Sequence, residues 1–278
     1  MTLPAFLINP IRKHRFQLGD LPRPVNTVCE SAKCPNRGEC FSQKTVTFLL
    51  LGDTCTRHCK FCAVNHGSQG ETPDDEIEAI LETIAHFNLQ YVVLTSVTRD
   101  DLPDGGAGHF VAVMTAIRHA HPTVKIEVLV PDFKGEENAI SVVVDAQPTV
   151  FNHNLEMVPR LFPMIRPEGD YVRSSNLLKH VSTRAPHQIL KTGIMVGLGE
   201  NPDEVEVLIR EVASLPVQIL TIGQYLAPSK KSYPVDRIVD PSEYEHYKKL
   251  GESLGLKVIA GPLVRSSYHA EATMSVIQ

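Results

Sequence analysis

From about residue 45 the chain alternates short apolar runs with longer stretches whose apolar residues recur every three or four positions. The runs TVTFLLL (45–51), YVVLT (91–95), KIEVLV (125–130), TVFN (149–152), GIMV (193–196) and LTIG (220–223) have the length and the β-branched content of strands covered on both faces. Between them, Ile77, Ile80, Leu81, Ile84 and Phe87 share one helical face, behind Thr72 as a predicted N-cap and Pro73 in the first turn. Phe110, Val113, Met114 and Ile117 form a second such face. Asn201-Pro202 opens a third, carrying Val205, Leu208, Ile209 and Val212. This alternation predicts βα units around a parallel sheet. Six units are too few to close an eight-stranded barrel, and in barrels of parallel strands the chemistry gathers on loops at the strands' C-terminal ends. Those loops carry a cysteine cluster after the first run, Arg99, Asp100 and Asp101 after the second, Asn154 and Glu156 after the fourth, and Gln224 and Tyr225 after the sixth.

Composition narrows the picture. Apolar residues make up 42% and charged ones 21%, which describes an ordinary globular protein and excludes disorder. The formal charge of −5 offers no basic field for nucleic acid or an anionic membrane. No apolar run reaches the ~20 residues that span a bilayer, and MTLPAFLINPIRKHR lacks the order of a signal peptide, so the expected location is the cytoplasm.

All six cysteines fall within residues 29–62, in two triplets: Cys29, Cys34, Cys40 and Cys55, Cys59, Cys62. Disulfides do not suit a chain expected in a reducing compartment. Structural zinc wants four ligands, and each triplet is one short, although His58 and His66 stand near the second. An iron–sulfur cubane fits better, because three thiolates leave its fourth iron open.

The run Cys55-Thr56-Arg57-His58-Cys59-Lys60-Phe61-Cys62, with its aromatic before the last cysteine, resembles the signature of the radical S-adenosylmethionine (SAM) enzymes. The earlier segment CESAKCPNRGEC (29–40) resembles the auxiliary-cluster motif of the lipoyl synthases. TSVTRDDLPDGGAGHF (95–110), FNHNLEMVPRLFPMIRP (151–167), IMVGLGE (194–200), LTIGQYLAPS (220–229) and GPLVRSSYHA (261–270) follow that family's order. The likeness runs from about Asn26 to Ala270. It departs at the start, where relatives carry a basic, Trp-containing stretch and this chain has a short, Pro-rich leader and no Trp.

The resemblance implies an α/β fold, a partial (β/α)6 TIM-like barrel over residues 45–226, with extensions at 1–44 and 227–278 carrying the auxiliary cluster and closing the site. It implies two [4Fe–4S] clusters. Cys55, Cys59 and Cys62 would hold the one that binds SAM. Cys29, Cys34 and Cys40 would hold the other, with a serine of the Arg265-Ser266-Ser267-Tyr268 run, Ser267 preferred, as fourth ligand; two such serines otherwise cap a turn. Asn154 and Glu156 match a ribose-binding stretch of the related biotin synthase, Arg173 would pair with the SAM carboxylate, and Gly197 and Gly199 would let backbone approach the adenosine. An Arg on a helix is otherwise a surface residue, and an Asn after a strand a helix cap.

The implied reaction is the insertion of two sulfurs, at C6 and C8, into an octanoyl chain on a carrier lysine, with the auxiliary cluster as donor. The implied partners are octanoylated lipoyl domains of 2-oxoacid dehydrogenase E2 subunits or the glycine cleavage H protein, and an electron donor such as flavodoxin or ferredoxin. No acid–base residue is expected, since the attacked C–H bonds are unactivated. Two rival readings are another sulfur-inserting radical SAM enzyme, of the biotin synthase kind, and a non-catalytic iron–sulfur or zinc protein.

Overall fold

The computed structural model describes residues 23–32, 34, 36, 39–40, 45–67, 72–268 and 270; the Pro-rich leader, 41–44 and His269 lie outside that set. Seven strands follow one another in chain order across one sheet, every neighbouring pair parallel: β1 Val46–Leu50, β2 Tyr91–Ser96, β3 Lys125–Leu129, β4 Val150–Asn152, β5 Ile189–Val196, β6 Ile219–Gln224 and β7 Lys257–Gly261. The connecting helices are α1 Glu76–Phe87, α2 Ala107–Ala120, α3 Glu137–Asp145, α4 Tyr171–Arg184, α5 Pro202–Ser214 and α6 Pro241–Ser253. Among the described residues β1 and β7 do not pair, so the barrel is open along one side.

The predicted faces of α2 and α5 are fully buried, as are Ile80 and Ile84 of α1. Three details differ from the pattern-based expectation. Helix α1 begins at Glu76 rather than behind Thr72, with Asp75 as N-cap, because the Glu76 carboxylate accepts the amides of Leu51 and Gly52 at 3.1 and 3.2 Å. Strand β5 starts at Ile189, four residues early. A seventh strand, β7, stands beyond the six runs and pairs with β6 over five residues.

The early start of β5 has an electrostatic cause. Lys191 and Thr192 read as a polar break, yet Lys191 points into the barrel, where its Nζ meets Glu127 Oε1 at 3.0 Å and Oε2 at 3.2 Å, both side chains 1% exposed. Asn152 and Tyr91 donate to the same carboxylate at 2.9 and 2.8 Å. Four strands thus share one buried acceptor. Removing one partner of such a pair strands the other charge, at a cost of about 3–5 kcal/mol. Lys191→Met should therefore lower the free energy of urea unfolding by about that much, and a Glu127→Leu/Lys191→Met double variant should recover part of the loss.

Candidate functional site at the open mouth

The exit from β1 sets the direction of the second cysteine triplet. Leu51 takes a left-handed φ of 67° and Gly52 one of 88°, both amides held by Glu76, whose carboxylate also meets His109 Nε2 at 2.6 Å. A side chain at Gly106 would collide with Leu51, so this turn is packed as well as bonded.

The loop that follows is buttoned to its neighbours. Thr56 donates twice to the Thr98 carbonyl, each at 3.0 Å, and its hydroxyl accepts from the Asp100 amide. Arg57, between two of the cysteines, is 2% exposed. It grips Asp100 in bidentate fashion at 2.7 and 2.9 Å and reaches Asp132 at 2.6 Å. Burial alone would raise the Asp132 carboxyl; Arg57 and then Arg173 outweigh it and hold that group far below the usual carboxylate range. Lys60 donates its amide to Ile165 and accepts from Tyr233. The amides of Arg57 and Val64 point at the sulfurs of Cys55 and Cys62, each at 3.4 Å.

The sequence candidates spread around this loop. Asn154 and Glu156 leave β4, and Glu156 holds a φ of 68°, an uncommon conformation for a residue with a side chain. Backbone bonds to Gly193 and from Met195, at 3.0 and 2.7 Å, pin Glu156 there. Burial raises its carboxyl, opposed by the charge of Arg166 and by a hydrogen bond from Asn154. Gly197 has a φ of 93°, and a Cβ there would strike Gln224 and sit 2.6 Å from the Arg237 carbonyl; at Gly199, φ 107°, a Cβ would make an ordinary contact with the Asp236 side chain at 3.9 Å. Glu200 accepts the amides of Gly197 and Leu198 at 2.6 and 2.9 Å. Arg173 turns to Asp132 at 2.9 Å and lines a surface cavity of about 440 Å³ with Lys134, Asp170 and His180. Arg99 and Asp101 pair with each other at 2.8 Å.

Sequence reasoning missed two cations. Arg57 sat unremarked inside the cysteine motif. Arg166 is buried, stacks 5.8 Å from the Phe162 ring centre and has an Nη1 without a hydrogen-bond partner among the described residues. It acts electrostatically on Cys59, Glu156 and His153. Its position at the end of the apolar run LFPMI (161–165) was the available signal.

Both cysteine sets consist of free thiols. Burial, the strongest influence, pushes Cys29, Cys40 and Cys59 up to about 12, and raises Cys62. Within each set the sulfurs also feel one another: Cys29 with Cys34 and Cys40, and Cys59 and Cys62 with Cys55. Among the described residues no three His, Cys, Asp or Glu groups converge on a single ion. The first set meets the C-terminal turn. Asn36 donates to the Leu263 carbonyl at 2.5 Å, Tyr268 to Glu39 at 3.0 Å, and Arg265 and Tyr268 feel the charges of Cys34 and Cys40 respectively.

Comparison with known proteins gives the family. Residues 49–212 match the model of the radical SAM superfamily. A lipoyl synthase of Caldanaerobacter subterraneus subsp. tengcongensis is 49% identical over 91% of this chain and 89% of its own length, and one of Caldicellulosiruptor saccharolyticus is 50% identical over the same shares. The chain belongs to the lipoyl synthase family. Solved structures agree on the fold: methylornithine synthase superposes with a TM-score of 0.56 at 12% identity, over 77% of this chain and 70% of that one. Coproporphyrinogen III oxidase of Escherichia coli gives 0.57 at 14%, over 87% and 62%. Enzymes of this family work with SAM and [4Fe–4S] clusters, and the donor chemistry fits. Each set supplies three soft, free thiols that feel one another's charge, and amides aimed at two of the sulfurs of the second set favour thiolate.

His153, between Asn152 and Asn154, is buried with Nδ1 donating to the Val130 carbonyl at 2.8 Å and Nε2 unpartnered among the described residues. Burial, then the charge of Arg166, holds it down at about 4. Its folded value lies below the unfolded one near 6.5, so the unfolded chain takes up the proton first and stability falls as pH drops from 6.5 towards 4. Urea unfolding at pH 7 and pH 5 should show about 2 kcal/mol more loss in the parent than in His153→Asn.

Proposed function

We propose that this chain performs the family's reaction, the insertion of two sulfur atoms at C6 and C8 of an octanoyl group on a carrier lysine, with Cys55, Cys59 and Cys62 holding one [4Fe–4S] cluster and Cys29, Cys34, Cys40 and Ser267 the other. The observation that supports the assignment is the C-terminal turn, which is bonded to the segment of Cys34 and Cys40 through Asn36–Leu263 and Tyr268–Glu39 and to Asn154 through Ser266, while Glu156 acts electrostatically on Cys59 and Cys62. When bound, the first cluster together with SAM supplies an oxidant able to break an unactivated C–H bond, and the second supplies sulfur.

The chain's own residues bind and orient. Arg57, through Asp100 and Asp132, fixes the loop that carries the first cluster's ligands. Asn154 and Glu156 offer an amide and a carboxylate to the ribose diol of SAM, Gly197 and Gly199 admit the adenosine to the backbone, and Arg173 meets the SAM carboxylate by exchanging part of its bond with Asp132. Arg166, buried beside Cys59, provides positive charge next to the thiolates. No proton-transfer residue is required. The carriers are lipoyl domains of 2-oxoacid dehydrogenase E2 subunits or the glycine cleavage H protein, reduction comes from a flavodoxin or ferredoxin, and the setting is the cytoplasm. Among the described residues no helix is long and apolar enough to cross a membrane.

Anaerobic incubation with octanoylated carrier, SAM and a reductant should add two sulfurs to the carrier; failure with both clusters intact favours a biotin synthase-like activity instead. Cys59→Ala should abolish 5′-deoxyadenosine formation. Cys34→Ala should retain it, lose about four irons per chain and stop only sulfur insertion. Equal loss of 5′-deoxyadenosine in both variants would overturn the assignment of the two sets.

A further inference from the structure

The C-terminal turn enters the barrel where two strands carry glycine. The Val264 carbonyl lies against Gly223 of β6, in the space a Cβ would need, and Ser266 Oγ lies 2.9 Å from the position of a Cβ on Gly193 of β5. Ala270 completes the passage, buried against Tyr91, Val93 and Val150 on the inner wall. In this setting Ser266 Oγ donates to Asn154 Oδ1 at 2.7 Å, across 112 residues of sequence.

That bond fixes something the amide cannot fix for itself. The two ends of an Asn side chain are alike in size and opposite in hydrogen-bonding sense, so neighbours decide which end faces where. The Glu156 carboxylate, which accepts, takes the NH2 end of Asn154. The oxygen end is left to a donor, and Ser266 is that donor. A chain Ser266→Asn154→Glu156 results, with Gly193 leaving room for it.

We infer that Ser266 is a positioning residue for SAM: by donating to Asn154 it orients the amide that meets the ribose, and it ties that amide to the turn bearing Ser267. The inference rests on the reading of Asn154 as a ribose contact and of Ser267 as the cluster ligand. It assigns separate tasks to adjacent serines, one to the nucleoside and one to the second cluster. SAM binding and the seating of the C-terminal turn then support each other, since both draw on the same amide.

The test uses the anaerobically reconstituted full chain, S-adenosylhomocysteine as an unreactive probe, equilibrium dialysis for its Kd, and an iron count for each variant. Ser266→Ala should weaken binding about five-fold with the iron count unchanged, the effect expected for loss of one hydrogen bond. Ser266→Thr, which keeps the hydroxyl, should bind nearly as the parent does. Gly193→Ala removes neither partner but drives a methyl to within 2.8 Å of Asn154 Oδ1 and 2.9 Å of Ser266 Oγ, and should weaken binding at least as much. If Ser266→Ala binds as the parent does while Asn154→Ala binds poorly, the positioning role is wrong and the ribose reading survives. If Asn154→Ala also binds as the parent does, the ribose reading fails and the inference with it. A loss of about four irons in Ser266→Ala, with Ser267→Ala unaffected, would make Ser266 the ligand and overturn the division of labour.

Discussion

A guanidinium buried beneath the Cys55–Cys62 loop is the constraint on which the mouth of this barrel depends. Arg57 comes from the loop itself, Asp100 from the exit of β2 and Asp132 from the exit of β3, so one side chain ties three consecutive strand ends together. Arg173 on α4 joins through the same Asp132. The tie holds in place the loop that bears Cys55, Cys59 and Cys62. The full burial of Asp132 makes the tie strong, since no water competes for its oxygens.

The second organising feature is the gap between β1 and β7. A closed barrel would fill its interior with its own side chains. Here the interior is divided: Glu127, Lys191, Asn152 and Tyr91 fill part of it, and the turn after β7 fills another part by lying on Gly193 and Gly223. The open side lets segments from both chain ends reach one mouth, which is how cysteines near residue 30 come to lie beside residues near 265.

Much of this was legible in the pattern of residues. The βα alternation, the helical faces of α2 and α5 and the placement of the cysteine loop after β1 follow from periodicity that burial enforces. What escaped was set by contacts distant in sequence. Lys191 concealed the start of β5 because nothing local announces its partner Glu127. Thr72 lost the N-terminus of α1 because Glu76 is held by amides 24 and 25 residues away. The strand KVIAG (257–261) is short and begins with a lysine, and only pairing with β6 defines it. At the candidate site, the two cysteine triplets stand out by spacing, whereas Arg57, Asp132 and Arg166 act through burial, which no motif displays.

The bonds from Asn36 to Leu263 and from Tyr268 to Glu39 work as a buckle where an eighth strand would have been a zip. A zip carries register, so undoing it disturbs every strand beside it; a buckle carries none. These bonds therefore join the two segments without setting the alignment of the seven strands.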